Sequence, residues 1–333
     1  MRIACQTRTR PGIALVLLLA ATAFDAIPEP SSGFAAATVA AAISPPARTS
    51  QLDGGLVVDD FSVSADGRWI SFTAFGEDIK DNIVWILPTD GSGRRRIEAP
   101  RGYKNSPVMR RGKGSRLLYL SLAGKASGDV PDGIYVLDLD GTRPRWALML
   151  EGPFRTLAIS PDGGYLAAST GNWNAAKVRS TIRVWPLDAA GRISGQPQAI
   201  SPSPPGQLRR LAFASTGRSI YFECAVEDAA FPWGRPQLHV ADLAPASAPR
   251  LLVADGRSPS IATAGGGDSL LFLGGSHSIL SLDLATGKVR EVAAIKGLTP
   301  TSLAWDPRGS RVILAAQESA TTAGILAFPL SAR

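Results

Sequence analysis

The chain has 333 residues, 45% of them hydrophobic, with 34 Gly, 25 Pro and a formal charge of +7. So many turn formers argue for numerous short strands and against long helices, and the apolar fraction excludes a disordered polymer. Arg2, Arg8 and Arg10 precede residue 11, and the remaining 32 Lys and Arg against 28 Asp and Glu are too mild an excess for a nucleic-acid binder.

Residues 1–23 read as an export signal. The three early arginines form a basic start, residues 12–23 an apolar run, and Ala21-Thr22-Ala23 a small-residue cleavage site. An uncleaved anchor is the alternative, although 12 residues of helix span roughly 18 Å against a ~30 Å hydrocarbon core. No Cys follows the apolar run for lipid attachment. The expected location is the periplasm or beyond. Cleavage removes Cys5 and leaves Cys224 alone, so no internal disulfide is expected. Cys224 sits in the apolar run 220–226 and reads as a buried, inert thiol. Residues 24–46, rich in Ala, Pro and Ser, read as a tether.

Repeats occupy the rest, and residues 47–333 are expected to form one domain. Glycines that close a first turn recur at Gly67, Gly114, Gly163, Gly217, Gly267 and Gly309, at intervals of 47, 49, 54, 50 and 42 residues. Such periods mark a radial or stacked array. Six residues before each stands a large apolar residue (Phe61, Val108, Leu157, Leu211, Ile261, Leu303), followed in five cases by a small one and in the sixth by Met109. That alternation fits a strand buried on both faces. A second periodic stretch starts at Val84, Ile134, Ile182, Leu238, Ile279 and Ile325, and aligns without gaps as VWILPTDG, IYVLDLDG, IRVWPLDA, LHVADLAP, ILSLDLAT and ILAFPLSA. A further short strand is predicted at 94–99, 146–150, 197–200, 250–253 and 289–293. Six units of four antiparallel strands describe an all-β six-bladed propeller. The sixth unit lacks its outer strand, which would leave an exposed edge. Residues 47–54 share the form of RRRIEAPRG at Arg94, so an N-terminal strand is expected to complete the last blade and close the ring.

Ser160-Pro161-Asp162-Gly163 with Tyr165-Leu166-Ala167, Ser64-Ala65-Asp66-Gly67 with Trp69-Ile70-Ser71-Phe72, and Ile134 to Gly141 (IYVLDLDG) resemble the WD-like blades of the TolB C-terminal domain and related bacterial periplasmic propellers. The resemblance covers about residues 55–333 and implies the propeller fold and an envelope setting. TolB carries an α/β domain ahead of its propeller, and here signal and tether stand in its place. The family joins its second and third strands by short loops, whereas here residues 75–82, 123–132, 170–181 and 225–237 are long and individual. Similar blades precede the hydrolase domain of prolyl-oligopeptidase-like enzymes, a domain not expected here.

Catalytic chemistry finds little footing. No Gly-x-Ser-x-Gly elbow is present, and the two histidines, His239 in a strand and His277 in a turn, have no nucleophile partner. Two His and isolated Cys lack the spacing of a zinc site. No cofactor is expected. One enzymatic alternative stays open, a lactonase- or sugar-processing propeller with a channel calcium, because Asp59, Asp60 and Asn105 precede inner strands as such ligands would. Arg155, Arg209 and Arg210 occupy the same place on other blades, so one channel mouth is expected to set Asp59 and Asp60 across from Arg209 and Arg210. That mixed charge suits a peptide or small polar ligand.

Two further binding candidates remain. Between residues 94 and 116 lie Arg94, Arg95, Arg96 and six more cations against Glu98 alone, a run suited to an anionic envelope surface or else simply hydrated. Trp173 and Trp233 lie in the long loops and read as a contact surface. The function these observations favour is an exported, non-catalytic, monomeric scaffold that binds an envelope protein or a small polar ligand.

Overall fold

The computed structural model describes residues 50–51, 57–75, 81–90, 92–111, 116–124, 130–141, 145–171, 180–244, 247–264, 267–275, 277–295, 297–308, 311–317 and 323–329. Residues 1–49, with the expected signal and tether, lie outside that set. The described residues hold six four-stranded antiparallel sheets and no helix. Blades one to five each run in sequence order from an inner strand outward. The inner strands are Val57–Val63, Tyr103–Arg111, Phe154–Ile159, Gly206–Phe213, Arg257–Ala264 and Thr299–Asp306.

The sixth blade is completed from the other end of the chain. Ser50 and Gln51 pair with Ile325 and Gly324 of its third strand, which closes the ring as the residue pattern predicts. Ile325 is fully buried, so this pairing covers an apolar edge.

Strand alternation builds the core. In Arg116–Ala123, the second strand of blade two, Leu117 and Tyr119 pack against blade three, while Leu118 and Leu120 pack against blade one. Successive side chains of a strand point to opposite faces, and both faces here meet a neighbour. The buried apolar side chains form six clusters, each spanning one blade interface, including the sixth-to-first seam. Outer strands are wetter, with Leu148, Leu251 and Val289 exposed.

The repeated turns are local hydrogen-bonded units. Ser160 Oγ donates to Asp162 Oδ1 at 2.6 Å and accepts from Tyr165 N at 2.8 Å, and Gly163 closes the turn at φ 72°. The Ser160 hydrogen bond holds the Asp162 carboxyl below its usual range. Ser64, Asp66 and Gly67 (φ 64°) repeat the device.

Two expectations need correction. Gly267 is the first residue of the second strand of blade five, paired with Ala264, and does not sit in the turn. Residues 225–237 of blade four are no loose loop: Ser219–Asp228 and Phe231–Asp242 make one long hairpin, its tip held by Asp228 Oδ1 accepting from Ala230 N at 2.9 Å. Pairing carries through this segment, and Gly234 (φ 80°) lies where the ladder shifts register.

Candidate functional site at the channel mouth

Every inner strand breaks register near its start. The shifts fall between Val58 and Asp60, Asn105 and Val108, Phe154 and Leu157, Leu208 and Arg210, Arg257 and Ser260, and Pro300 and Ser302. A bulge re-aims side chains and frees main-chain groups from the ladder. Six bulges at one level make a belt around the channel, on the face where second strands turn into third strands. The channel, open to solvent, has a volume of about 290 Å³ and is lined at this level by Asp60, Ser106, Thr156, Arg210, Ser258 and Ser302, and towards the turn-bearing face by Ser64, Pro161, Ser215 and Pro307.

Two blades repeat a Ser-Pro step here. Ser106 before Pro107 and Ser258 before Pro259 adopt φ 45° and 54°, a region that costs a non-Gly residue on the order of 1–3 kcal/mol. Each is held by a buried carboxylate from the preceding blade. Asp60 Oδ2 accepts from Ser106 N at 3.1 Å and from Ser106 Oγ at 2.6 Å, and Glu223 Oε2 accepts from Ser258 N at 2.9 Å. Both acids then meet the arginine pair of blade four. Arg210 forms an ion pair with Asp60 across the channel, from the fourth blade to the first, and Arg209 Nη1 lies 3.8 Å from Glu223 Oε1. Arg209-Arg210 is thus a hub shared by two acid and Ser-Pro units on opposite sides of the ring.

Of the expected juxtaposition of Asp59 and Asp60 with Arg209 and Arg210, the structure describes one contact, Asp60 with Arg210, in a tighter form than an open mouth, while Arg209 lies beside Glu223 instead. Asp60 is 8% exposed, and its oxygens already accept from Phe61 N, Ser106 N, Ser106 Oγ and Arg210. A carboxylate filled by four donors is poorly placed as a calcium ligand. Among the described residues no three His, Cys, Asp or Glu side chains gather as a metal site. Asn105 is half-buried, paired with Ser121 just before its bulge. Arg155 sits in the bulge of blade three. Burial pulls its guanidinium down to about 10, opposed by Tyr103 and Asp132, so it stays charged at neutral pH. Asp59 lies in the inner strand of blade one, with its side chain outside the described set.

The basic run divides. Arg94, Arg95, Arg96 and Arg101 are exposed on the rim of blade one, and the Arg94 guanidinium lies 5.0 Å from the centre of the Trp85 ring. Lys104 is buried, and its Nζ donates to Asp81 Oδ1, Asn82 O and Gly102 O. Burial alone would raise the Asp81 carboxyl, but the Lys104 hydrogen bond and charge bring it below the usual range. Arg110 is a strut between blades, donating to Gly163 O at 2.7 Å and Asp188 O at 2.9 Å. Arg116 pairs with Asp140 at 2.6 Å and lies over Trp69. The anionic-surface candidate thus contracts to the rim arginines. Trp173 lies outside the described residues, and Trp233 belongs to the long hairpin of blade four, with its side chain likewise undescribed.

Glu223, Ser106 and Ser258 escaped sequence reasoning. The signal available was the recurrence of Ser-Pro within the first residues of two inner strands, in NSPV and RSPS.

His239 is a core residue. It stacks on Phe222 at 5.4 Å, and Nε2 lies 3.1 Å from Gln237 Oε1. Burial lowers its pKa below 6.5, so the folded protein keeps it neutral where the unfolded chain takes up a proton. Stability is expected to fall as pH drops below about 6.5, with a slope of at most ~1.4 kcal/mol per pH unit. Urea unfolding of His239→Phe between about pH 7 and pH 5 should show that slope removed; an unchanged slope would refute this origin. Cys224 is buried, and desolvation pushes its thiol up to about 12.

No family model and no curated protein sequence matches this chain. Solved propellers do. Hydrazine synthase of Kuenenia stuttgartiensis is similar at 16% identity and a TM-score of 0.55, over 82% of this chain and 84% of that one. The Cps50 (Swd1) β-propeller domain of Myceliophteria thermophila gives 12% identity and 0.49, over 84% and 99%. A prolyl endopeptidase gives 12% and 0.47, over 85% of this chain and 42% of that one. Identities this low speak to the fold alone.

Proposed function

We propose that the protein is an exported, non-catalytic binding propeller of the bacterial envelope, akin to TolB-type propellers, and that its bulge face meets the partner. One observation carries this reading: the polar belt opens on the same face as the long hairpin of blade four. That hairpin pairs out to Asp228 and Phe231, beyond the Gly206–Val226 pair at the start of its inner strand. It therefore stands above the mouth, where side chains can grip a protein partner, while the rim arginines suit an anionic neighbour. The mouth itself suits a small polar ligand.

A photo-crosslinking residue at Glu227, exposed on the hairpin, can be compared with one at Arg218, exposed on the opposite, turn-bearing face. In envelope extracts a discrete adduct from Glu227 alone is the expected result. Equal adducts from both positions, or none from Glu227, would count against the reading. The intact mass of the exported protein reports whether residues 1–23 are removed.

A further inference from the structure

We propose that the channel mouth binds a small zwitterion of the amino-acid class, and that the Asp60–Arg210 ion pair is the internal contact it replaces. The proposal rests on the bulge face being the binding face, but it needs no protein partner.

Charge comes first. Among the described residues that line the channel of about 290 Å³ the charged groups are one buried carboxylate, Asp60, and one guanidinium, Arg210, with the Glu223–Arg209 pair set behind them. A volume of this size lies at the lower end of small-molecule sites, which suits an amino acid or a dipeptide. A ligand of net charge would separate the pair and leave one of its partly buried ions uncompensated, at a desolvation cost. A zwitterion would not. Its ammonium takes the place at Asp60 that Arg210 fills in the free protein, and its carboxylate takes Arg210, so each ion exchanges one partner for another.

Hydrogen bonding points the same way. Hydroxyls on blades one to three donate inward: Ser62 Oγ to Pro107 O, Ser106 Oγ to Asp60, and Thr156 Oγ1 to Arg209 O. Those on blades five and six differ. Ser258 Oγ and Ser260 Oγ accept from Leu303 N and Trp305 N, which leaves their hydrogens uncommitted. Ser302, 2% exposed, has no hydrogen-bond partner for its Oγ. Three hydroxyls of the lining, Ser258, Ser260 and Ser302, therefore offer unspent O–H donors, while the Asp60 oxygens are already filled. A carboxylate, with about four acceptor positions and no donor, meets that surplus. A buried hydroxyl left without a partner costs stability in the free protein, as expected of a group kept for a ligand.

The test is thermal unfolding and titration calorimetry of the exported protein with a set of free L-amino acids. Their N-acetyl and amide derivatives supply the controls at matched ionic strength, and glycylglycine is included. At least one free amino acid should raise the melting temperature in a saturable way, with both blocked forms weakened tenfold or more. A response to glycylglycine alone would place the ligand among peptides with both ends free, within the same chemistry. No saturable response to any zwitterion, or an equal response to a blocked form, overturns the proposal. Ser302→Ala separates site from fold: it should melt no lower than the parent and yet lose affinity severalfold. Undiminished affinity in that variant would remove Ser302 from the site and with it the donor argument. These readouts are independent of the crosslinked adduct, so either result can fail alone.

Discussion

Asp60→Ala is expected to lower the melting temperature by roughly 5–10 °C. The substitution removes the carboxylate that pairs with Arg210 across the channel, and with it the one oxygen, Oδ2, that accepts both hydrogen bonds holding Ser106 in its left-handed conformation. Breaking a buried pair from one side typically costs about 3–5 kcal/mol. The Arg210 side chain keeps 22% exposure, so about 2–4 kcal/mol is the better figure. For a domain of this size each kcal/mol moves the transition by about 2–4 °C. Calorimetry of the single variants and of Asp60→Ala/Arg210→Ala should show the double losing less than the sum, because the two singles each remove the same ion pair. Strict additivity would mean that the two side chains do not interact in solution.

Removal of residues 24–54 is expected to cost a comparable 5–10 °C, whereas removal of 24–46 alone should leave the transition within about 1 °C. The longer deletion takes away Ser50 and Gln51, which pair with Ile325 and Gly324, and so uncovers the third strand of blade six. Unpaired main-chain groups and the packed Ile325 would meet water, and the ring would be held at its last seam by side-chain packing and by Arg311 Nη2 donating to Thr89 O at 2.8 Å. An exposed strand also invites pairing between molecules, so light scattering should show concentration-dependent association of the longer deletion alone. If both deletions melt like the parent, chain closure is not what secures the ring. The magnitude follows from lost ladder bonds at ~1 kcal/mol each plus the uncovered apolar edge.

The bulge level departs from what stability alone would select. The left-handed Ser106 and Ser258, the unpartnered Ser302 hydroxyl and the buried Asp60 all lie at the bulge level. A ring built only for stability would fill those positions with apolar side chains, as it does one layer further in with Leu157, Leu303 and Val108. Departures of this kind concentrate where structure is kept for recognition.

Much was legible in the residues themselves. Turn geometry depends on a few neighbours, so Ser160-Pro161-Asp162-Gly163 and its relatives announce themselves, and period-two alternation marks the strands between them. Blade number, strand order, the buried Cys224 and even the closing strand follow from such short-range patterns. The hairpin pairing through 225–237 was less visible, because Pro232, Gly234 and Pro236 are residues that commonly interrupt strands. The meaning of the charged residues is of another kind. Lys104 and Arg110 look, in sequence, like members of one basic run with Arg94, yet two are interior struts and one is rim. Arg210 finds Asp60 only because ring closure sets the fourth blade opposite the first, and Glu223 reaches Ser258 only because adjacent blades press their inner strands together. Local sterics and hydrophobic periodicity decide the blade. The partner of a buried charge depends on which distant strands become neighbours, and that only the folded ring decides.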